Sequence, residues 1–211
     1  MFQLNTSMTY TIIEDCSPYY IKFSHPGIDR YIETALQMLQ TGESGREAYE
    51  LDGFDHKRLL SILGKIMIKS TPVSDDLLLT YGRVSYFISS PGLYYRAHKD
   101  GNSMRFGINY MLKVLDDKCV TSWYSDEDLK DYPIDESVIQ HSRECDGFKK
   151  ENHTPLKTMV AKQGEVILFN ADIFHDWDNR LSSNERIVLT LRPPLGDETT
   201  FFDARKALFN F

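Results

Sequence analysis

Between residues 77 and 192 the chain is written in short runs of Val, Ile, Leu, Tyr and Phe, each cut off by Gly, Pro, Ser, Asn or Asp. That texture predicts strands joined by turns. The runs fall near 77–81, 84–89, 93–99, 105–114, 119–124, 156–161, 165–170, 174–177 and 186–192, and Gln163-Gly164 separates two of them in the manner of a tight hairpin turn. Many short strands that follow helices predict a mainly β fold with flanking α. We expect two sheets in a jelly roll, with the helices packed on one face.

The helices come first. After Pro26-Gly27, the residues Ile28, Tyr31, Ile32, Ala35, Leu36 and Leu39 recur at helical spacing, and Gly42 supplies a stop. A second helix is expected from about 55 to 69, with Leu59, Leu60, Leu63, Ile66 and Met67 on one side. Both are apolar on one side only, so each needs a surface to lie on. Before them, 10–13 and 19–23 are β-prone. This divides one domain of 211 residues into an N-terminal support (1–76), a core (77–193) and a tail (194–211). The tail is amphipathic through Phe201, Phe202, Ala204, Ala207, Leu208 and Phe211, and either docks on the body or mediates self-association.

One stretch breaks the rhythm. Residues 125–146 carry eight acidic side chains against Lys130 and Arg143, which is most of the net charge of −7. Extended to about 154, it reads as an insertion between strands, either a lid over a site mouth or a solvated loop. The acidic balance argues against nonspecific nucleic-acid binding, which works by neutralising phosphates. No apolar run approaches the ~18 residues of a membrane span. The three cysteines, Cys16, Cys119 and Cys145, suit neither a disulfide framework nor a zinc pattern. A reducing, cytoplasmic setting follows as the expectation.

The chemistry concentrates at His98-Lys99-Asp100 and His175. Alternate residues of a strand point the same way, so an extended 98–100 segment presents His98 and Asp100 together and turns Lys99 away. With a distal histidine they form a set of two imidazoles and one carboxylate. Such a set takes one face of an octahedral Fe(II) and leaves the other positions open. Oxygen activation at such an ion needs a reductant, which a 2-oxo acid supplies by oxidative decarboxylation. The far carboxylate of that acid needs a fixed cation, and arginine pairs with carboxylate through two parallel bonds. Arg186 stands eleven residues after His175 and opens Arg186–Arg192. By alternation Arg186, Val188, Thr190 and Arg192 share one face, while Ile187, Leu189 and Leu191 share the other. Either arginine could serve as the clamp, or both could be surface charges at strand ends.

These residues resemble the Fe(II)- and 2-oxoglutarate-dependent oxygenase superfamily, whose signature is His-x-Asp, a distal His, and an Arg or Lys about ten residues beyond. The run Pro91-Gly92-Leu93-Tyr94-Tyr95-Arg96-Ala97-His98-Lys99-Asp100 is similar to the prolyl-hydroxylase-like form, with Gly92 six and Tyr95 three residues before the first ligand. The run from Gly164 to Asn170, with His175, Asn179 and Glu185-Arg186, is similar to its second half, so the resemblance covers about 80–193. It implies a double-stranded β-helix of the cupin-like kind with the metal at its open end. It implies His98, Asp100 and His175 as iron ligands, Arg186 as the clamp on 2-oxoglutarate, and Tyr95 as a further donor to that cosubstrate. Arg105 resembles an arginine that aspartyl/asparaginyl hydroxylases use on 2-oxoglutarate. Those enzymes lack the Asp ligand present here, and Val188 stands where many members have Ser. The activity implied is hydroxylation of a C–H bond of a small molecule or peptidyl side chain, with Fe(II), 2-oxoglutarate and ascorbate as a reductant. The alternative is a cupin-like metal-binding protein or metalloenzyme that does not use 2-oxoglutarate.

Overall fold

Twelve strands and three helices account for most of the described residues, and their order explains how distant residues meet. The computed structural model describes residues 10–24, 28–41, 83–100, 105–132, 134–139, 142–145, 147–192 and 198–209. The helix expected at 55–69 and the strand expected at 77–81 lie outside them, as does Gly42. The chain begins with β1 (Thr11–Cys16), β2 (Tyr20–Ser24) and α1 (Ile28–Thr41). There follow β3 (Arg83–Ser89), β4 (Tyr94–Lys99), β5 (Phe106–Lys113), β6 (Val120–Trp123), α2 (Asp126–Leu129), β7 (Ile134–Ile139) and β8 (Ser142–Cys145). The last elements are β9 (Lys157–Val160), β10 (Val166–Asn170), β11 (His175–Asp178), β12 (Arg186–Arg192) and α3 (Phe201–Phe209).

The strands form two six-stranded sheets, in the orders β1-β2-β10-β5-β12-β3 and β7-β8-β4-β11-β6-β9. Every neighbouring pair is antiparallel. Between β3 and β12 the chain passes repeatedly from one sheet to the other, which makes the expected double-stranded β-helix. Gln163-Gly164 does form a tight turn, with Gly164 at φ +85° and Glu165 N donating to Lys162 O at 3.2 Å. It is not a hairpin turn, however. It carries the chain from β9 in the second sheet to β10 in the first. A turn motif fixes where the chain reverses, and pairing is decided by contacts far away in sequence.

The central strands β10, β5 and β12 of the first sheet are buried on both faces, so they alternate between two apolar environments rather than between core and water. Phe106, Ile108, Tyr110 and Leu112 of β5, Val166 and Leu168 of β10, and Ile187, Leu189 and Leu191 of β12 form one cluster. Ile32, Ala35 and Leu39 of α1 and Phe201, Ala204 and Leu208 of α3 cover it, and each such burial is worth roughly 1.5–3 kcal/mol for the larger side chains. The tail therefore docks on the body. Its helix starts at a reciprocal cap, in which Asp203 N donates to Thr200 Oγ1 (3.2 Å) and Thr200 N to Asp203 Oδ2 (2.9 Å). The opposite face looks into the lumen between the sheets, where Met111, Ile167, Phe169 and Val188 meet Tyr20, Trp123 and Met159. The alternation read from Arg186–Arg192 is thus the one observed.

The acidic insertion is not a bare loop. It contains α2, whose N-cap Ser125 accepts from Asp128 N at 3.0 Å, and the β7–β8 hairpin. That hairpin extends the second sheet beside β4, with His98 opposite Glu144 and Lys99 opposite Arg143. Among the described residues no helix is long and apolar enough to cross a membrane.

Candidate metal centre

β4 and β11 run side by side in the second sheet, with His175 opposite His98. Asp100 lies just past the end of β4, its N–H held by Ala171 O at 3.2 Å. Side-chain donor atoms of His98, Asp100 and His175 all lie within 4.8 Å of one another, and all three residues are buried. The imidazole centroids are 4.4 Å apart. Each ring is fixed in the same way. His98 Nδ1 lies 2.8 Å from Arg96 O, and His175 Nδ1 lies 2.9 Å from Ile173 O. A carbonyl only accepts, so both Nδ1 atoms carry the proton and both Nε2 lone pairs face the cluster. Backbone carbonyls commonly orient metal-binding histidines in this manner.

Electrostatics agree with a cation between these groups. Burial, together with the neighbouring His98, pushes His175 down to about 4, so its lone pair is available at neutral pH. Burial alone would raise the Asp100 carboxyl, but Arg192, with Nη1 2.8 Å from Oδ2, and the two histidines hold it well below the usual carboxylate range. His98 Nε2 is 3.5 Å from Asp100 Oδ1, too long for a strong hydrogen bond. The site offers two imidazole nitrogens and one carboxylate, and this donor set fits a divalent transition metal. Lys99 points the other way, onto the Phe174 ring (4.6 Å) and Asp126 (2.8 Å), as strand alternation requires.

Tyr95 also reaches the cluster, its ring edge-on to His98 at 4.7 Å. Three residues of regular strand would put it on the opposite face. The β4–β11 register slips between His175↔His98 and Trp177↔Tyr95, so three steps on β4 match two on β11, and this bulge brings Tyr95 inside. Phe169 packs edge-on to His175 at 5.6 Å, and Trp123 lies tilted over the same ring at 6.4 Å. Gly107, opposite Phe169 in the sheet, leaves the space that this ring fills, and a Cβ there would overlap it. Of the other aromatics near the ligands in sequence, Phe106 and Tyr110 face the helices and Phe174 faces the outer cluster.

The arginines have separate fates. Arg192 is committed to Asp100. Arg105 pairs on the half-exposed rim with Glu198 at 2.7 Å and Asp172 at 4.0 Å. Arg186 is only 4% exposed and has no carboxylate partner among the described residues. Its guanidinium lies over the Trp177 ring at 4.9 Å, and its Nη atoms contact Cys119 Sγ (3.2 Å) and Met111 Sδ (3.5 Å). Its Nε–H has no hydrogen-bond partner among the described residues. Trp177 lies two residues beyond His175 on the same side of β11, which places Arg186 about two strand positions, some ~7 Å along the strand, from the ligand cluster. Sequence reasoning missed Cys119 and Met111 in this pocket, because their approach depends on strand pairing that leaves no local mark. Asn179, part of the resemblance, is structural: its Nδ2 ties Ser89 O, Ser90 O and Asn184 O together ahead of β12.

The fold is shared with iron- and 2-oxoglutarate-dependent enzymes. The chain is similar to iron-bound HygX from Streptomyces hygroscopicus, at TM-score 0.52 and 11% identity over 85% of this chain and 84% of that one. It is similar at TM-score 0.50 and 10% identity to HygX with nickel and 2-oxoglutarate bound, over 85% and 84% of the two chains. A further likeness, again at TM-score 0.50 and 10% identity, is to the epimerase SnoN in complex with Fe3+, alpha ketoglutarate and nogalamycin RO, over 82% and 77%. No protein-family model and no curated protein matches the chain.

Proposed function

We propose that the protein is an Fe(II)- and 2-oxoglutarate-dependent oxygenase that hydroxylates a C–H bond of a small molecule or a peptidyl side chain. The observation that carries this reading is Arg186. An isolated buried guanidinium is costly unless an anion meets it, and a carboxylate ligand arriving through the lumen would supply that anion. The His98, Asp100 and His175 cluster in the same lumen suits a ligand with a metal-binding end and a distal carboxylate. The fold neighbours solved with iron or with 2-oxoglutarate support the same assignment.

On this reading His98 Nε2, Asp100 and His175 Nε2 hold the ion, which when bound supplies Lewis-acid and redox chemistry with oxygen and the 2-oxo acid. Arg186 binds the distal carboxylate as a two-pronged donor. Tyr95 donates to the cosubstrate from beside His98. Arg192 keeps Asp100 ionised and turned toward the cluster. Trp123, Phe169 and Val188 exclude water from the lumen, and the Nδ1 bonds keep the imidazoles from rotating. Arg105 has its carboxylates already and receives no role here.

The test is anaerobic binding of 2-oxoglutarate to iron-loaded protein, with and without Arg186→Ala. Loss of 2-oxoglutarate binding with retention of iron supports the reading. Iron binding with no 2-oxoglutarate binding in the unaltered protein would make this a metalloprotein of another chemistry.

A further inference from the structure

The pocket around Arg186 contains a nucleophile for which the proposed reaction has no use. Cys119 is 3% exposed, directly before β6, and its sulfur takes two N–H contacts: Trp177 Nε1 at 3.1 Å and Arg186 Nη1 at 3.2 Å. A guanidinium has five donors and prefers oxygen anions, whereas a neutral thiol and a thioether accept weakly. Arg186 has those two sulfurs, an indole face and an unpartnered Nε–H. Sulfur Sγ therefore stands against the donors that a ligand carboxylate needs. Any path that brings a dicarboxylate to this guanidinium brings a small oxidant to the sulfur.

We propose that Cys119 is a peroxide-sensitive thiol that closes the Arg186 pocket, an inference that rests on Arg186 being the carboxylate clamp. The Cys119 thiol gives up its proton, the sulfur attacks one oxygen of hydrogen peroxide and the O–O bond breaks. The departing hydroxide takes the proton, so that R–SH and H2O2 become R–SOH and H2O. Sulfur loses two electrons and peroxide gains them. The two N–H groups facing the sulfur stabilise negative charge on it during the attack. The new oxygen then takes the Arg186 donors, and a dithiol reductant restores the thiol. Cys16, whose thiol donates to the Glu14 carboxylate at 3.2 Å and has no arginine facing it among the described residues, is the comparison thiol.

The experiment treats metal-free protein in chelator with hydrogen peroxide, removes the oxidant, and loads the protein with Zn2+, which does not change oxidation state. Peptide mass spectrometry locates added oxygen among Cys16, Cys119 and Cys145, and calorimetry measures 2-oxoglutarate affinity. We expect one oxygen on Cys119, affinity lowered at least tenfold and restored by dithiothreitol, and slower oxidation when Zn2+ and 2-oxoglutarate are bound first. In Cys119→Ala the ratio of treated to untreated affinity becomes one. Should that variant fail to fold, protection of the unaltered protein by 2-oxoglutarate still decides. Oxidation confined to other residues, or oxidation of Cys119 with affinity unchanged, overturns the gate alone. Reduced protein that binds Zn2+ but no 2-oxoglutarate overturns the clamp and the gate together.

Discussion

The two faces of β11 carry comparable burial and opposite electrostatics. On the outer face Asp176 is fully buried yet completely served: Tyr124 Oη donates at 2.7 Å, Tyr94 Oη at 3.3 Å and Ser122 N at 3.1 Å, with Lys150 Nζ at 3.3 Å. Asp178 beside it takes Lys150 at 3.2 Å and Arg180 at 2.9 Å, and although burial works against it, these cations bring its carboxyl down to about 2. On the inner face, one residue to either side of Asp176, His175 points a free lone pair at its neighbours and Trp177 stacks under an arginine with no carboxylate partner among the described residues. One face is finished by the chain itself. The other is finished only by what binds to it.

That contrast separates side chains that hold the strand from side chains that wait for ligands, and substitutions should divide the same way. The largest effect is expected at Arg186. Arg186→Met should lower 2-oxoglutarate affinity by roughly a hundredfold or more, the worth of a buried two-pronged ion pair. In metal-free protein its melting temperature should hold or rise, because it removes an uncompensated buried cation. A fall in melting temperature comparable to that of an outer-face variant would break the comparison. Asp176→Ala should do the reverse, costing about 3 kcal/mol in chemical denaturation. It strands the buried Tyr124 hydroxyl and Ser122 N–H, at roughly 1–3 kcal/mol each.

Acid should act on the inner face. His175 binds a proton at about 4 in the folded chain and near 6.5 when unfolded, so between these values the unfolded state holds the extra proton. Stability of metal-free protein should therefore fall as pH drops below about 6.5, by up to about 1.4 kcal/mol per unit, and level off near 4. His175→Gln should flatten that part of the profile, and an unchanged slope would contradict the assigned cause. The smallest effect sharpens the boundary at the lumen wall. Gly107→Ala should cost about 1–3 kcal/mol by displacing the Phe169 ring that packs on His175, and should weaken metal binding in step.

Much of this was legible in the sequence where the cause is local. Alternation in Arg186–Arg192 separated Ile187, Leu189 and Leu191 from the lumen residues, and the His98-Lys99-Asp100 spacing placed two donors inside and Lys99 outside. α1 followed from its apolar period. What escaped reading depends on partners remote in sequence. The chain could not show that Gln163-Gly164 leads into a different sheet, that a bulge opposite β11 brings Tyr95 beside His98, or that Arg192 settles on Asp100. Nor could it show that Lys150, from the acidic insertion, is the counter-charge for Asp176 and Asp178. The insertion read as either a lid over the site mouth or a solvated loop, and neither reading showed that its described part braces the ligand strands through Lys99–Asp126 and Lys150.

The most direct measurement of the central claim is an anaerobic calorimetric titration of Fe(II), then 2-oxoglutarate, into the unaltered protein and Arg186→Met. The account predicts one Fe(II) per chain in both, and one 2-oxoglutarate per iron in the unaltered protein alone. Equal 2-oxoglutarate binding by both proteins, or none by the iron-loaded unaltered protein, would contradict it.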